Sequence, residues 1–475
     1  MKHLEQLLKH IEMRCRIASP IIKETFWQNL HDHTPLEKLA SIPALYAFTG
    51  DHPVGLHVKH SCISGSFLLG NVNISRSIVY KSDIRGDEFK KAGDAVTIFD
   101  DAVMLHEDEA AKIRDSILLN VLVHNHSHDP TLLEDFSIKN SAAYEHANIH
   151  GSPINGVVMM PFSTIDLTSA THSIIGAYSY VQTGELRDTI VDSGAIIIRF
   201  NDDFNFYYLF PYHVVEKYLG KPENFYQNGV FSNFVKEKEA ELEDIIINGG
   251  RMRLESVPSS SHVSYYSYIH GENTIGENVF VSQNAYLDNA YLGKGANVQE
   301  NCFIVNSTLK GFNATAHGAK IINAEIGTNC FSGFNSFIRG SEKGKITTGS
   351  GCIIMPHTII DAVEPIEIPD RSIVWGFIEK QADLSETSIT VDELRKNGEF
   401  GKNRNVEFEG DGYLFSETLE NRVKHILESN GAFYDGKKNM GHAQLSRDMA
   451  ASRLNAYPSG PNKGLFPNIL IDPEL

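Results

Sequence analysis

The sequence predicts a mainly β chain wound as a parallel β-helix in two blocks, with helical segments at its start, middle and end. Three observations predict this. Apolar residues in the second half recur every five or six positions, a period that neither an α-helix nor a flat strand produces; a looser set with the same steps lies upstream; and helical spacing is confined to short stretches. In the second half Ile269, Ile275, Val281 and Leu287 are six apart, Leu292 follows by five, Val298 and Ile304 resume the six, and Leu309 again follows by five. After an irregular stretch come Ile321 and Ile326, then Ser332 and Ile338, then Ile353 and Ile359. A period of six suits a chain that makes one short strand per face, turns, and sends one apolar side chain inward from each strand. Three hexads then complete a triangular coil of about 18 residues, and stacked coils bury a continuous apolar column.

The elements follow in order. Residues 1–56 form a helical N-terminal segment, in which Leu4, Leu7, Leu8, Ile11 and Cys15 recur at three- and four-residue steps until Pro20 interrupts them. Residues 57–202 form the first, irregular β-helix block: Val58, Ile63, Leu68 or Leu69, Ile74, Val79 and Ile84 step by five or six, and further coils surround Ile165, Ile175 and Val181. Its middle, 85–160, reads as coils carrying inserted loops, which is where such folds display function. Residues 203–255 are an aromatic-rich helical insert. Gly220 and Pro222 stop one helix after Leu219, and Phe231, Phe234, Val235, Leu242, Ile245 and Ile246 share one face of the next. Residues 256–380 are the second, regular block. Residues 381–475 are a C-terminal cap, with Leu419, Val423, Ile426 and Leu427 on the inner face of a helix ended by Asn430 and Gly431, followed by an extended, Pro-rich tail.

Within the second block, "TIGENV", "YLGKGA" and "EIGTNC" pair an aliphatic residue with Gly and place a small residue further on. On these motifs residues 262–380 resemble the left-handed β-helix of the hexapeptide-repeat transferases, and the left hand is implied by that resemblance. "DNAYLG", "VNSTLKG" and "INAEIG" are similar to the coils attached to sugar-nucleotide pyrophosphorylases, and "IPDRSIV" to the last turn and strand of many hexapeptide-repeat proteins. Pyrophosphorylase activity is not expected, because the first 56 residues are too few for a nucleotide-binding domain and lack a Gly-rich loop.

A formal charge of −18 repels a phosphate backbone, and no Lys/Arg stripe interleaved with aromatics overcomes it, so nucleic acid is not an expected partner. Cys15, Cys62, Cys302, Cys330 and Cys352 are too scattered for a zinc ribbon or redox dithiol and read as reduced, buried thiols. No run of about 18 apolar residues exists to span a membrane, and the charged N-terminus is unlike a signal peptide, so the expected location is cytoplasmic.

The densest chemistry is "LVHNHSHDP", residues 122–130, followed by "YEHANIHGSP". The resemblance implies a homotrimeric acyltransferase in which a histidine acts as general base on a hydroxyl or amine of a small, sugar-derived acceptor while acyl-CoA, as co-substrate, donates the acyl group. Histidine suits the task because its ordinary pKa of about 6.5 lets it accept a proton near neutrality. The catalytic candidates are His126, His128, Asp129, His146 and His150; one 18-residue coil separates His128 from His146, so stacking brings them close. A metal alternative uses His124, His126 and His128, which point to one side of a strand and suit zinc with a further histidine. It draws on a resemblance of Arg85, Gly86 and Asp87 to the Arg-Gly-Asp of γ-class carbonic anhydrases, although the histidine pattern that follows in those enzymes is not reproduced here. A third alternative is a non-catalytic binding or assembly protein. His317 and His357 read as corner residues of the second block, which is the better scaffold, while the irregular first block is the better site candidate.

Overall fold

Three inward-facing columns organise the first half of the chain. Leu68, Ile84, Val123, Ile149, Ile165 and Val181 lie in parallel register on one face. Val58, Ile74, Ile113, Ile138, Ile154 and Ala170 line the second, and Val79, Leu118, Ala143, Met159, Ile175 and Val191 the third. All are buried. Register places Leu68, not Leu69, in the inward column, although both are buried. Regular coils close in 16 residues, as from Ile149 to Ile165, rather than 18, because two of the three sides take five-residue steps. Two insertions account for the irregular middle. One carries an antiparallel hairpin, Ala95–Ile98 with Asp101–Met104; the other contains residues 127–135.

The computed structural model describes the chain except residues 50–53, 89–90, 99–100, 107, 127–135, 223–224, 249–253, 255, 402–403 and 473–475, and the side chains of a few flanking residues, His126 among them. It divides into two compact units, Met1–Ser193 with Pro222–Tyr226 and Asp448–Leu475, and Gly194–Lys221 with Gln227–Arg447.

Small corner residues hold the coils of the first unit together. Ser61, Ser77, Ser116 and Ser141 form a ladder in which each hydroxyl accepts the backbone N–H of the coil above: Ser77 N at 3.1 Å, Ser116 N at 3.2 Å, Ser141 N at 3.2 Å and Val157 N at 3.1 Å. The helix Lys2–Ala18 buries Leu4, Leu7, Leu8, Ile11 and Cys15, as its spacing predicts. Its His10 Nε2 reaches Asp115 at 2.9 Å, beside Arg76, which grips the same carboxylate at 2.6 and 2.8 Å. Burial alone would raise the Asp115 carboxyl, but the hydrogen bonds from Arg76 and His10 outweigh it and bring it down to about 2. An aspartate depressed below its unfolded value of about 3.9 stabilises the fold above that value and loses its contribution as pH falls through about 2. Asp115→Asn should therefore cost about 2 kcal/mol at pH 7, and the gap to wild type should close between about pH 4 and pH 2; thermal unfolding across that range measures it. The tail joins this unit through strands: Ala450–Leu454 pairs antiparallel with Ala44–Phe48, and Ile469–Ile471 with Gly55–Lys59, covering edges that would otherwise offer unpaired backbone.

The second unit is a parallel β-helix with sheets of eight, seven and six strands. Leu287, Ile304, Ile321 and Ile338 stack in one column, Ile275, Leu292, Leu309 and Ile326 in another. The middle coils here, from Leu287 to Ile338, close in 17 residues, which is the mixture of fives and sixes counted in the sequence. The third column runs Val281, Val298, Thr315, Ser332, Ile354 and Val374. Two details differ from the sequence count. The apparent gap after Leu309 is filled by Thr315, a polar residue at an inward position. The inward residues near the end are Ile354 and Ile360, not Ile353 and Ile359, because Ser332 pairs with Ile354 across a coil lengthened to 22 residues. A one-residue slip transfers a whole strand to its other face. The Gly after each inward aliphatic is explained by the coil above it: a Cβ on Gly293 would lie 2.2 Å from Lys310 O, and one on Gly327 2.1 Å from Gly349 O.

The helices Tyr212–Leu219 and Val230–Asn248 belong to this unit. Phe231 packs on Phe337 at 5.0 Å between ring centres, and the Tyr218 hydroxyl donates to Asp361 at 2.6 Å. The cap helix, Gly412–Ser429, starts at Asp411, whose carboxylate accepts from Tyr413 N and Leu414 N, and buries Val423 and Leu427.

Candidate active site

The outward side of one face of the first unit is unusually polar for a buried surface. With Val123, Ile149 and Ile165 inward, strand alternation sends Arg85, His124, His150 and Asp166 outward in a single register column. Asn148, Thr164 and Tyr180 form a second column beside it. All seven are buried. Burying polar groups costs free energy unless they bond to one another, and these do. His150 Nδ1 lies 2.8 Å from Asp166 Oδ1, the Tyr180 hydroxyl donates to Asp166 Oδ2, and Asn148 Nδ2 donates to Thr164 Oγ1 at 3.1 Å. The His124 ring meets the His150 ring edge-on, with centres 5.1 Å apart at 73°.

A carboxylate only accepts hydrogen bonds. Asp166 therefore selects the His150 tautomer with its proton on Nδ1, which leaves the lone pair of the neutral ring on Nε2. The tyrosine on the second carboxylate oxygen limits rotation of Asp166 and, through it, of the imidazole. This is the construction of a positioned proton acceptor, and also that of a metal-binding histidine, whose distal nitrogen is commonly tied to a carboxylate.

The structure distributes the predicted residues unevenly. His150 lies at the centre of this arrangement. His124 joins it because the strand Leu122–His126 is the register neighbour of Asn148–His150. The two histidines are 26 positions apart in sequence, the excess over one coil being the insertion that contains 127–135. His146 stands at the corner before that strand in the left-handed region (φ 60°), with its ring stacked on Phe162 at 5.0 Å and Nε2 3.2 Å from Asn120 Nδ2. The side chain of His126, and all of His128 and Asp129, lie outside the described residues. Sequence reasoning missed Asp166 and Tyr180. A coil length of 16 would have found the first, since Asp166 is one coil beyond His150.

The second unit holds a related pair that its regular hexads concealed. His317 Nδ1 lies 2.8 Å from Glu300 Oε2, and the Ser282 hydroxyl donates to Glu300 Oε1. Glu300 is 0% exposed and His317 1%.

Comparison with known proteins bears on both units. The family described as hexapeptide repeat including loop matches residues 101–223. A crystal structure from Desulfovibrio desulfuricans G20, of a protein named "putative acetyltransferase", is 41% identical, covers 100% of this chain and 99% of its own, and superposes with a TM-score of 0.92. No curated protein matches.

Proposed function

We propose that this chain, which belongs to the hexapeptide-repeat transferase superfamily, moves an acyl group from a thioester donor, acyl-CoA, to a hydroxyl or amino group of a small, sugar-derived acceptor, with His150 as general base. The observation that carries the reading is the His150–Asp166 contact of 2.8 Å, backed by Tyr180, on the outward face of a coil. His150 Nε2 takes the acceptor's proton as the acceptor oxygen or nitrogen attacks the thioester carbonyl. The C–S bond breaks as the tetrahedral centre collapses, and the departing thiolate takes up the proton. Asp166 holds the imidazole in the required tautomer throughout and stabilises its protonated form.

The experiment is thiol release from acetyl-CoA and longer acyl-CoA thioesters in the presence of amino and hydroxy sugars. Release that depends on the acceptor is expected. Its absence across the panel counts against transfer. We also propose a homotrimer working in the cytoplasm, as the family resemblance of the repeats implies. Among the described residues no helix is long and apolar enough to cross a membrane, and sedimentation analysis tests the trimer.

One observation favours a second reading, a zinc enzyme. Two imidazoles that share a tetrahedral ion at ~2.0–2.1 Å have ring centres roughly 5 Å apart, which is the spacing of His124 and His150. Those two residues would hold the ion, with Asp166 bracing one of them, and zinc would supply a bound water acidified to about pKa 7. Elemental analysis of protein prepared with added zinc discriminates: one zinc per chain, lost in H124A and H150A, supports the metal reading, and metal-free protein that releases thiol supports the first.

A further inference from the structure

We propose that Lys320 is a proton-controlled latch: uncharged, it lets the helix Val230–Asn248 close over one face of the second unit, and charged, it favours an open state in which its ammonium reaches water. Placement comes first. Tyr268, Tyr286, Phe303, Lys320, Phe337 and Ile359 are successive register partners on the outward side of one sheet. A lysine therefore stands in a column that is otherwise aromatic or aliphatic. The helix lies along this column. Phe231 packs on Phe337 at 5.0 Å, Phe234 lies 6.1 Å from both Phe303 and Phe337, and further along Glu241 accepts from the Tyr286 hydroxyl at 3.1 Å. Phe231 and Phe234 thus cover the rungs on either side of Lys320, which is 1% exposed.

The partners of the amine are all neutral. Lys320 Nζ donates to Gly318 O at 2.8 Å and to Asn301 O, and it lies 4.3 Å from the centre of the Phe303 ring and 5.9 Å from that of Phe231. Among the described residues no carboxylate pairs with it. A buried cation without a counter-ion is disfavoured against its neutral form, and burial brings the Lys320 ammonium down from an ordinary value near 10.4 to about 7. A methionine of similar length would fill the same rung without this sensitivity.

The groups around it behave differently. On the strand below, burial pushes the Cys302 thiol up to about 12. One coil further down, burial and the nearby Glu241 push the Tyr286 hydroxyl upward, with Lys238 Nζ 5.1 Å from the same ring. On the strand above, Arg339 is held charged by two hydrogen bonds to Asp361. Glu300 and His317 precede the two residues whose carbonyls Lys320 bonds. When the helix lifts, the amine meets water and its affinity for a proton returns to the ordinary value. The open state therefore holds one more proton than the closed state between pH 7 and pH 10, and each unit of falling pH there favours opening about tenfold. Below about pH 7 both states are protonated and the dependence is flat.

The test is hydrogen–deuterium exchange of the full-length chain at pH 7 and pH 9, each rate divided by the intrinsic rate at that pH, in wild type, K320M and K320R. In wild type, opening within residues 230–248 should be about fiftyfold rarer at pH 9 than at pH 7. K320M carries no charge and should open rarely at both. K320R, charged throughout, should open readily at both. Wild-type opening that is equal at the two pH values overturns the proposal, and so does the wild-type pH response persisting in K320M or K320R. If K320R does not fold, wild type and K320M decide by the same criteria. The outcome is independent of whether the protein transfers acyl groups.

Discussion

His150→Asn should slow acceptor-dependent thiol release by 10²- to 10⁴-fold, the usual contribution of a positioned general base. Asparagine keeps the polarity and approximate reach of the side chain but cannot take a proton at neutral pH. The effect should appear in kcat, since His150 contributes to the transition state rather than to uniform binding of either substrate. Asp166→Asn should fall between wild type and H150N. Its amide can donate to Nδ1 and so favour the wrong tautomer, while the lost charge no longer stabilises the imidazolium. Tyr180→Phe removes a hydroxyl that bonds to the far oxygen of Asp166 and lies 3.0 Å from Gln182 Oε1, leaving the His150–Asp166 contact itself in place, and its loss should be the smallest of the three. Steady-state kinetics of the four proteins at one pH checks the order. Equal rates for H150N and wild type would remove His150 from the mechanism.

Ile304→Ala should destabilise the second unit by roughly 2–5 kcal/mol. Ile304 is 0% exposed and sits between Leu287 and Ile321 in the inward column. A solenoid coil touches only its neighbours, so the cavity cannot be filled from a distance and the coils above and below must absorb it. Ile304→Val should cost only about 0.5–1.5 kcal/mol. Urea unfolding followed by circular dichroism measures both. A loss in Ile304→Ala no larger than that in Ile304→Val would mean that the column relaxes around the gap.

These two residues also show how differently fold and site were written in the sequence. Ile304 was legible because a repeating fold imposes the same demand on every coil, and repetition is a signal a single sequence carries. The five-residue steps after Leu287 and Ile304 foretold the 17-residue coil, and Thr315 is visible once that length is known, whereas the slip from Ile353 to Ile354 comes from one coil lengthened to 22 residues. His150 was legible as a residue type but not as a member of a pair. The one-coil spacing counted in the sequence joined His128 to His146, whereas an insertion of unpredictable length made His124 the register neighbour of His150. Asp166 follows Ile165 in what reads as an ordinary coil, and nothing in its immediate context marks it as the carboxylate that orients His150.

His317 makes the point most sharply. A histidine before a glycine at a break in the hexads reads as a corner residue, and by position it is one. What distinguishes it is Glu300 directly below, a relation between coils and not along the chain. By itself the sequence determined that this protein is a two-block β-helix with helical attachments, because periodic burial of one aliphatic residue per strand is a local rule repeated many times. Only the tertiary structure decided which polar side chains meet. Coil length and insertion length together set the vertical register, and the register brings Asp166 to His150 and Glu300 to His317.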